Sequence, residues 1–119
     1  MRVFLDTNFA VDMFRFKIAT IEIFDLLPDA QLFVLESVIH ELQRIANSRK
    51  KDAKHARIAL KFVEKLKILQ SETAKTDEAL LTLNSEDVVA TNDRELRRRL
   101  AAKNIKTIYL RAKKHLALS

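Results

Sequence analysis

The sequence predicts an α/β protein: a three-layer α/β/α sandwich with a central parallel sheet of about five strands. Short apolar runs recur along the chain, and longer segments with helical periodicity separate them. Parallel neighbouring strands need long crossover connections, usually helices, and these segments have the required length. The 119 residues are enough for one domain with a hydrophobic core and too few for two. We therefore expect a single domain over residues 1–119.

Nearly continuous apolar runs predict buried parallel strands, since helices cover both faces of such a sheet. A weaker run, Lys67–Gln70, is a candidate for one more strand. The stronger runs are Arg2–Leu5, Gln31–Leu35, Asp87–Ala90 and Thr107–Leu110.

The connecting segments are predicted to be helices from the three- and four-residue spacing of their apolar positions. Pro28 ends the second of them, and Ser37 is a candidate N-cap for the third. Because the chain has no glycine, Asn84 and Asn104 are the candidates for left-handed C-terminal caps. The predicted helices are Asn8–Phe16, Ile18–Leu27, Ser37–Asn47, Lys51–Lys65, a helix from Thr76 or Asp77 to Leu83, and Asp93–Lys103.

The composition excludes several classes of function. No cysteine is present, which rules out disulfides, thiolate catalysis and zinc–cysteine sites. The absence of glycine rules out the glycine-rich dinucleotide fingerprint and the P-loop. No apolar run approaches the roughly 18 residues that cross a bilayer, and the N-terminus lacks a signal-peptide pattern. We expect a cytoplasmic protein with no membrane partner.

The chain is strongly basic, with 22 lysine and arginine residues against 16 acidic ones and a net charge of +6. Such a field attracts polyanions and raises their rate of encounter, without indicating any sequence preference. The alternative is that the charge only aids solubility.

Four acidic residues are predicted to meet at one edge of the sheet: Asp6, Glu41, Asp77 and Asp93. Asp6 directly follows the first strand, and Asp93 closely follows the fourth. In open α/β sheets, residues just past the carboxyl ends of parallel strands line the ligand crevice. Glu78 adjoins Asp77, and because a helix turns about 100° per residue, only one of the two can point well at a shared site.

A cluster of carboxylates needs compensation, because close negative charges repel and some would protonate at neutral pH. Magnesium or manganese ions relieve this repulsion and prefer oxygen ligands. A bound metal also lowers the pKa of its water and neutralises charge on a phosphate. Each acid has a structural alternative, as a helix cap or a solvated surface residue. The conjunction of the four in a basic chain predicts metal-dependent cutting of a nucleic acid.

Four stretches of the sequence resemble the PIN-domain ribonucleases, and most of all the compact archaeal proteins related to ribosomal-RNA maturation endonucleases. The resemblance spans about Met1 to Leu110, and its most specific block is VVATNDRELRRRL at residues 88–100. The other stretches are VFLDTN at residues 3–8, HEL at residues 40–42 and TDEALL at residues 76–81.

The resemblance implies a role for each site residue. It places Asp6, Glu41, Asp77 and Asp93 at the family's four acidic metal-binding positions, with Asn8 and Thr91 supporting them through hydrogen bonds. It further implies endonucleolytic hydrolysis of single-stranded RNA with Mg²⁺ or Mn²⁺, a PIN-like sheet of about five strands, and a homodimer. The chain departs from the family before its fourth and last strands, where Ser85-Glu86 and Asn104 replace the usual glycines.

Two groups of basic residues are predicted to contact RNA. The sharper group follows Asp93 directly, where it could hold phosphates beside the cut. The second has the spacing of one helix face, and for both groups the alternative is a solvated surface. The groups are Arg94, Arg97 and Arg98, and Lys50, Lys54 and Arg57 with Lys61 in the same register.

Three functions stay open for such a domain. The leading one is an endoribonuclease that processes RNA, with ribosomal RNA as the expected class. The second is the toxin ribonuclease of a toxin–antitoxin pair, which would have an antitoxin partner. The third is a catalytically silent RNA-binding PIN domain that acts with partners in ribosome assembly. The presence of all four acids argues against the third.

Overall fold

The structure is a computed structural model, and it describes all 119 residues. Its six strands form one sheet, and its six helices connect the first five of them. In chain order the elements are β1 (Arg2–Leu5), α1 (Thr7–Arg15), α2 (Ile21–Leu26), β2 (Gln31–Leu35), α3 (Glu36–Ala46), α4 (Ala53–Val63), β3 (Lys67–Leu69), α5 (Thr76–Leu80), β4 (Val88–Ala90), α6 (Arg94–Ala102), β5 (Lys106–Arg111) and β6 (His115–Leu118).

The sheet confirms the predicted fold class. The strand order is β3-β2-β1-β4-β5-β6, and β1 to β5 pair in parallel. Right-handed crossovers put the helices that precede β2 and β3 on one face of the sheet and those that precede β4 and β5 on the other. In agreement, α1, α3 and α4 pack on one another, while α6 packs on β5. No helix is long and apolar enough to span a membrane.

The sixth strand was not predicted. It pairs antiparallel with β5 across a tight turn, in which the Lys114 N–H donates to the Arg111 carbonyl at 3.1 Å. The two central residues, Ala112 and Lys113, have φ of 54° and 58°. These values are those of a type I′ hairpin turn, which normally carries Asn-Gly. The turn went unrecognised because Ala-Lys is not a sequence signal for it.

Helix boundaries differ from the prediction where caps were misassigned. Ser37 lies inside α3, whose start is flanked by Leu35, whereas α5 begins at Thr76, one of its two predicted starts. The Ser37 hydroxyl instead bonds Thr76. The prediction for Asn104 is confirmed, because this residue follows α6 with φ of 61° and takes the left-handed conformation that glycine would otherwise supply.

The order of the strands fixes where a ligand would bind. From β1 the chain adds β2 and β3 on one side, and from β4 it adds β5 on the other side. The direction in which strands are added therefore reverses between β1 and β4. Ligands of open α/β sheets bind beyond the carboxyl ends of the strands at such a switch point. The backbone ladder continues past both strands here, because Asp6 N–H donates to Ala90 O and Thr91 N–H donates to Ile108 O, each at 2.9 Å. Sheet hydrogen bonds therefore hold the backbone of both Asp6 and Thr91.

Candidate metal centre

Asp6 lies at the switch point, directly after β1, and is only 4% exposed. It is the N-cap of α1 and accepts the Thr7 N–H at 2.8 Å on Oδ1. Its Oδ2 accepts the Thr91 hydroxyl at 2.7 Å. Two bonds from rigid parts of the sheet edge thus fix both oxygens of this carboxylate.

The ionised form of Asp6 lacks compensation. Burial raises the pKa of Asp6 to about 6, against the lowering effect of the hydrogen bonds from Thr91 and Thr7. The negative charges of Asp77 and Glu41 raise it further. None of the four predicted acids takes part in a salt bridge. With a pKa of about 6 the carboxylate is ionised at neutral pH, and a cation at this site would stabilise that form.

Glu41 projects from α3 and is oriented by threonine hydroxyls. Its Oε1 accepts hydrogen bonds from Thr7 and, at 2.9 Å, from Thr76. The Ser37 hydroxyl, 2.8 Å from that of Thr76, completes the chain of bonds as the donor. The other carboxylate oxygen, Oε2, accepts no hydrogen bond from the protein. One oxygen is held in place while the other stays available to a ligand.

Asp77, rather than Glu78, faces the other acids. Burial raises the pKa of Asp77, the negative charges of Asp93 and Glu41 raise it further, and Arg99 opposes them. Glu78 instead lies 3.8 Å from the Lys75 ammonium. Asp77 is thus the better placed of the two, and its role as a metal ligand stays a prediction.

Asp93 is joined to Asp6 through Thr91. Asp93 caps α6 by accepting the Leu96 N–H at 3.1 Å on Oδ1, and its own N–H donates to the Thr91 hydroxyl oxygen at 3.2 Å. Because that hydroxyl donates to Asp6, one threonine sets the relative position of two acids. This contact supports the predicted role of Thr91.

Asn8 supports the same edge through its neighbour Asn92. The Asn8 side-chain oxygen accepts the Asn92 N–H at 3.1 Å. The Asn92 side chain donates to Asp12 at 2.8 Å and accepts the Leu110 N–H at 2.8 Å. The segment between β4 and α6 is thus pinned to α1 and to β5. Asn8 contacts none of the four acids directly, and it reaches them through the Asn92 backbone and, at 3.5 Å, the Thr91 hydroxyl.

Two clefts open beside the acids, and Glu41 and Asp77 line both. The first, of about 540 Å³, is named the lysine cleft; the second, of about 510 Å³, is named the arginine cleft. The lysine cleft is lined by Asp6, Thr7, Asn8, Val11, Asp12, Glu41, Ile45, Lys50, Lys51, Asp52 and Asp77. The arginine cleft is lined by Ser37, His40, Glu41, Arg44, Ala74, Lys75, Thr76, Asp77, Glu78 and Arg99.

The structure brings the four acids into one electrostatic cluster, although no three carboxylates close on a single point as their side chains stand. Asp6, Glu41 and Asp77 share the lysine cleft, whereas Asp93 lines neither cleft and acts on Asp77 through its charge. The donor set consists of carboxylate oxygens without basic partners, and a hard divalent cation prefers such ligands. The residues present therefore fit Mg²⁺ or Mn²⁺.

Two of the three arginines of α6 predicted to bind RNA have partners within the protein. The Arg97 guanidinium lies 3.5 Å from the centre of the Tyr109 ring, and Arg98 pairs with Glu95. Arg94 is exposed. Their contact with RNA stays a prediction.

The second basic group does not form one helix face. Lys50 lies in the loop before α4 and lines the lysine cleft, which corrects its predicted place on the helix. Lys54 is exposed on α4, and Arg57 donates to the Ala46 carbonyl at 3.1 Å. RNA contact by these residues is also an open prediction.

Several site residues were missed by the sequence analysis. Thr7 and Thr76 adjoin Asp6 and Asp77 in the chain, and this adjacency was the available signal. Lys51, Arg44 and Arg99 line the two clefts but belong to charge runs whose members look alike in sequence. Only the fold distinguishes them from their neighbours.

The fold and the site together define a class of protein: a parallel α/β domain with carboxylates at its switch point, a donor set suited to metal-assisted phosphate chemistry. Comparison with known families names the class. The chain belongs to the PIN-like domain family, whose model matches residues 3–113. This confirms the resemblance to PIN-domain ribonucleases.

Individual proteins agree with this assignment. Ribonuclease VapC4 of Methanocaldococcus jannaschii is 31% identical over 122 residues, which cover 92% of this chain and 90% of that protein. The structure of the PIN domain endonuclease Utp24 superimposes with a TM-score of 0.81 at 21% identity, covering 99% of this chain and 90% of that one. A domain of a functionally unknown protein from M. jannaschii superimposes with a TM-score of 0.67 at 20% identity. The match covers 93% of this chain and 91% of that one.

Proposed function

We propose that the protein is an endoribonuclease that uses Mg²⁺ or Mn²⁺ to hydrolyse phosphodiester bonds of single-stranded RNA. The observation that carries the proposal is the buried, unpaired carboxylate of Asp6 beside Glu41 and Asp77 in an otherwise basic protein. Apart from the four acids, 12 acidic residues stand against 22 basic ones, which leaves +10 around the site. Such a surface attracts RNA, while the acids attract the cation.

Asp6, Glu41, Asp77 and Asp93 would hold the metal. When bound, the ion supplies an activated water and neutralises charge on the phosphate that is cut. The threonine hydroxyls keep the acids in place: Thr7 and Thr76 orient Glu41, and Thr91 ties Asp6 to the backbone of Asp93. Such supporting contacts commonly change metal affinity or activity by roughly 10–100-fold.

The chemistry is tested with purified protein, a panel of labelled single-stranded RNAs and added Mn²⁺ or Mg²⁺. Cutting at internal positions is expected, and EDTA is expected to stop it. Asp6→Asn should abolish cutting, whereas the matched change Asp25→Asn at an exposed site on α2 should not. Cutting that survives both EDTA and Asp6→Asn would contradict the proposal. Binding without any cutting would favour the silent RNA-binding alternative.

The biological role we propose is RNA processing, with ribosomal RNA as the substrate class, acting in the cytoplasm as a homodimer. Sedimentation of the pure protein tests the dimer, and a monomer at micromolar concentration would exclude it. Depletion of the protein in its host should lead to accumulation of uncut precursor RNA. Unchanged precursor levels would argue against a processing role.

The second candidate is the toxin ribonuclease of a toxin–antitoxin pair, and the full-length similarity to ribonuclease VapC4 keeps it open. Both candidates use the same site and differ in partner. Induced expression of the wild type, compared with Asp6→Asn, separates them. Growth arrest that requires Asp6 and is relieved by a co-purifying small protein would favour the toxin, and unaffected growth would favour processing.

A further inference from the structure

Arg44 and Arg99 border the acids in the arginine cleft, and neither was singled out by the sequence. We propose that these two arginines bind the RNA phosphates on one side of the bond that is cut. The strand then passes from the lysine cleft, over Glu41 and Asp77, into the arginine cleft. This inference rests on the proposed function and adds the path of the substrate to it.

Their position in the fold supports the assignment. Arg44 follows Glu41 by three residues on α3, so the two lie about one helical turn apart on the same side. Arg99 is on α6, and its charge acts on the carboxylate of Asp77. Both arginines line the cleft that contains these two acids. A phosphate held there would lie beside the acidic cluster rather than on a remote surface.

The two guanidinium groups are also free. Arg44 and Arg99 make no hydrogen bond or salt bridge within the protein, and both are exposed. Three other arginines are already occupied: Arg2 pairs with Asp87, Arg57 donates to a backbone carbonyl, and Arg98 pairs with Glu95. A planar guanidinium with unused donors is the side chain best suited to bidentate contact with phosphate.

Each cleft has basic side chains beside the shared acids. A polyanion that crosses Glu41 and Asp77 meets negative charge at the centre of its path. Lys50 and Lys51 supply positive charge in the lysine cleft, and Arg44 supplies it with Arg99 in the other. The two clefts join at the shared acids, so each pair can hold phosphates on its own side of the cut.

Binding is measured by fluorescence anisotropy of a short labelled single-stranded RNA, in an Asp6→Asn background that prevents cutting. Arg44→Ala and Arg99→Ala should each weaken binding several-fold. Each should also reduce the slope of log Kd against log salt concentration by about 0.7 for every phosphate that is no longer neutralised. Arg44→Lys and Arg99→Lys should keep the slope, because the charge remains. In the active protein, the alanine variants should raise KM more than they lower kcat.

Two control variants separate a local contact from a general effect of charge. Lys106→Ala removes one positive charge at the start of β5, on the opposite edge of the sheet, and should leave the slope unchanged. Arg98→Ala tests the arginines that the sequence favoured. An equal effect of Lys106→Ala, or a larger effect of Arg98→Ala than of Arg99→Ala, would overturn the inference.

The binding assay also distinguishes this inference from the proposed function. Suppose that the wild type cuts RNA and both arginine variants bind RNA like their parent. The proposed path of the RNA is then wrong, and the proposed nuclease activity is unaffected. Arginines that serve a protein partner instead would give this same result. If no metal supports cutting yet both variants lose RNA binding with the predicted slope, the phosphate contacts stand and the nuclease activity fails.

Discussion

Asp6 and Asp87 are equally buried carboxylates, each 4% exposed, at opposite ends of neighbouring strands. Asp87 precedes β4 and receives Arg2 through two hydrogen bonds of 2.9 and 2.8 Å, together with the Asn84 N–H at 3.1 Å. Asp6 follows β1 and receives only a hydroxyl and a backbone amide. At the amino ends of the strands the buried carboxylate is therefore neutralised by an arginine. At their carboxyl ends the buried carboxylate has no cationic partner.

As a result, the pKa values of the two carboxylates are shifted in opposite directions. Burial works to raise the pKa of Asp87, but the hydrogen bonds from Arg2 and Asn84 and the charge of Arg2 outweigh it, so the pKa is lowered. Burial raises the pKa of Asp6 to about 6, and its neighbours are acids. Burial alone does not mark a candidate functional carboxylate; burial without a cationic partner is the more informative sign.

The largest contrast is expected in catalysis. Asp6→Asn should reduce kcat/KM for RNA cleavage more than about a hundredfold, because it removes a charged residue of the proposed metal site. Asp87→Asn lies at the far edge of the sheet and should retain activity within about threefold under conditions where it is folded. The rates are compared at saturating Mn²⁺ with one RNA substrate. Equal losses in the two variants would contradict the division of roles.

Two buried threonines should show a similar but smaller difference in activity, because one contacts the acids and the other does not. Thr91→Val removes the hydroxyl that links Asp6 to Asp93, and the expected loss of activity is roughly 10–100-fold. Thr107→Val is the matched control, since this buried threonine of β5 bonds Ser119 instead of an acid. It should change stability without a specific loss of activity. A normal rate in Thr91→Val would show that the link is dispensable.

For stability the contrast should reverse: the change at Asp87 should matter more than the change at Asp6. Asp87→Asn breaks the bidentate pair and should lower the free energy of unfolding by about 2 kcal/mol, less than for a fully buried pair because Arg2 is partly exposed. Asp6→Asn should leave it unchanged or raise it by up to about 2 kcal/mol in EDTA, since a charge that costs free energy to bury is removed. Asparagine can still accept the Thr7 N–H and donate to Thr91. Urea unfolding at neutral pH measures both.

The two carboxylates should also differ in the pH dependence of stability. Because the folded-state pKa of Asp6 is raised from 3.8 to about 6, its contribution to stability is full below pH 4 and is lost as pH rises through 6. Asp87 has the opposite sign, and its contribution is lost as pH falls through its lowered pKa. The difference in unfolding free energy between wild type and each variant, followed across acidic pH, should therefore slope in opposite directions. Parallel slopes would refute the assignment.

Much of this contrast was present in the sequence. The runs that became β1 to β5 were predicted from apolar continuity, and Asp6 and Asp93 from their places after strands. The ion pair of Arg2 with Asp87 joins residues far apart in the chain, and no local pattern indicates it. The same holds for the threonine bonds to Glu41. Contacts of this kind depend on strand order and register, which only the assembled sheet specifies.

The basic residues show where sequence patterns mislead. Arg97, Arg98 and Arg99 are consecutive, yet one stacks on Tyr109, one pairs with Glu95 and one borders the acids. A helical repeat predicts that such residues point in different directions, but it does not say which direction leads to the site. That information comes from the packing of α6 against β5 and its distance from α3 and α5.

The turn at Ala112 and Lys113 affects which part of the sheet unfolds locally first. Two left-handed non-glycine residues cost about 1 kcal/mol each, and they join β5 to a strand at the edge of the sheet. The amide hydrogens of β6 should consequently exchange with solvent earlier than those of β1 and β4. Local fraying is then confined to the rim, while the central strands that carry the acids stay protected until the whole domain unfolds.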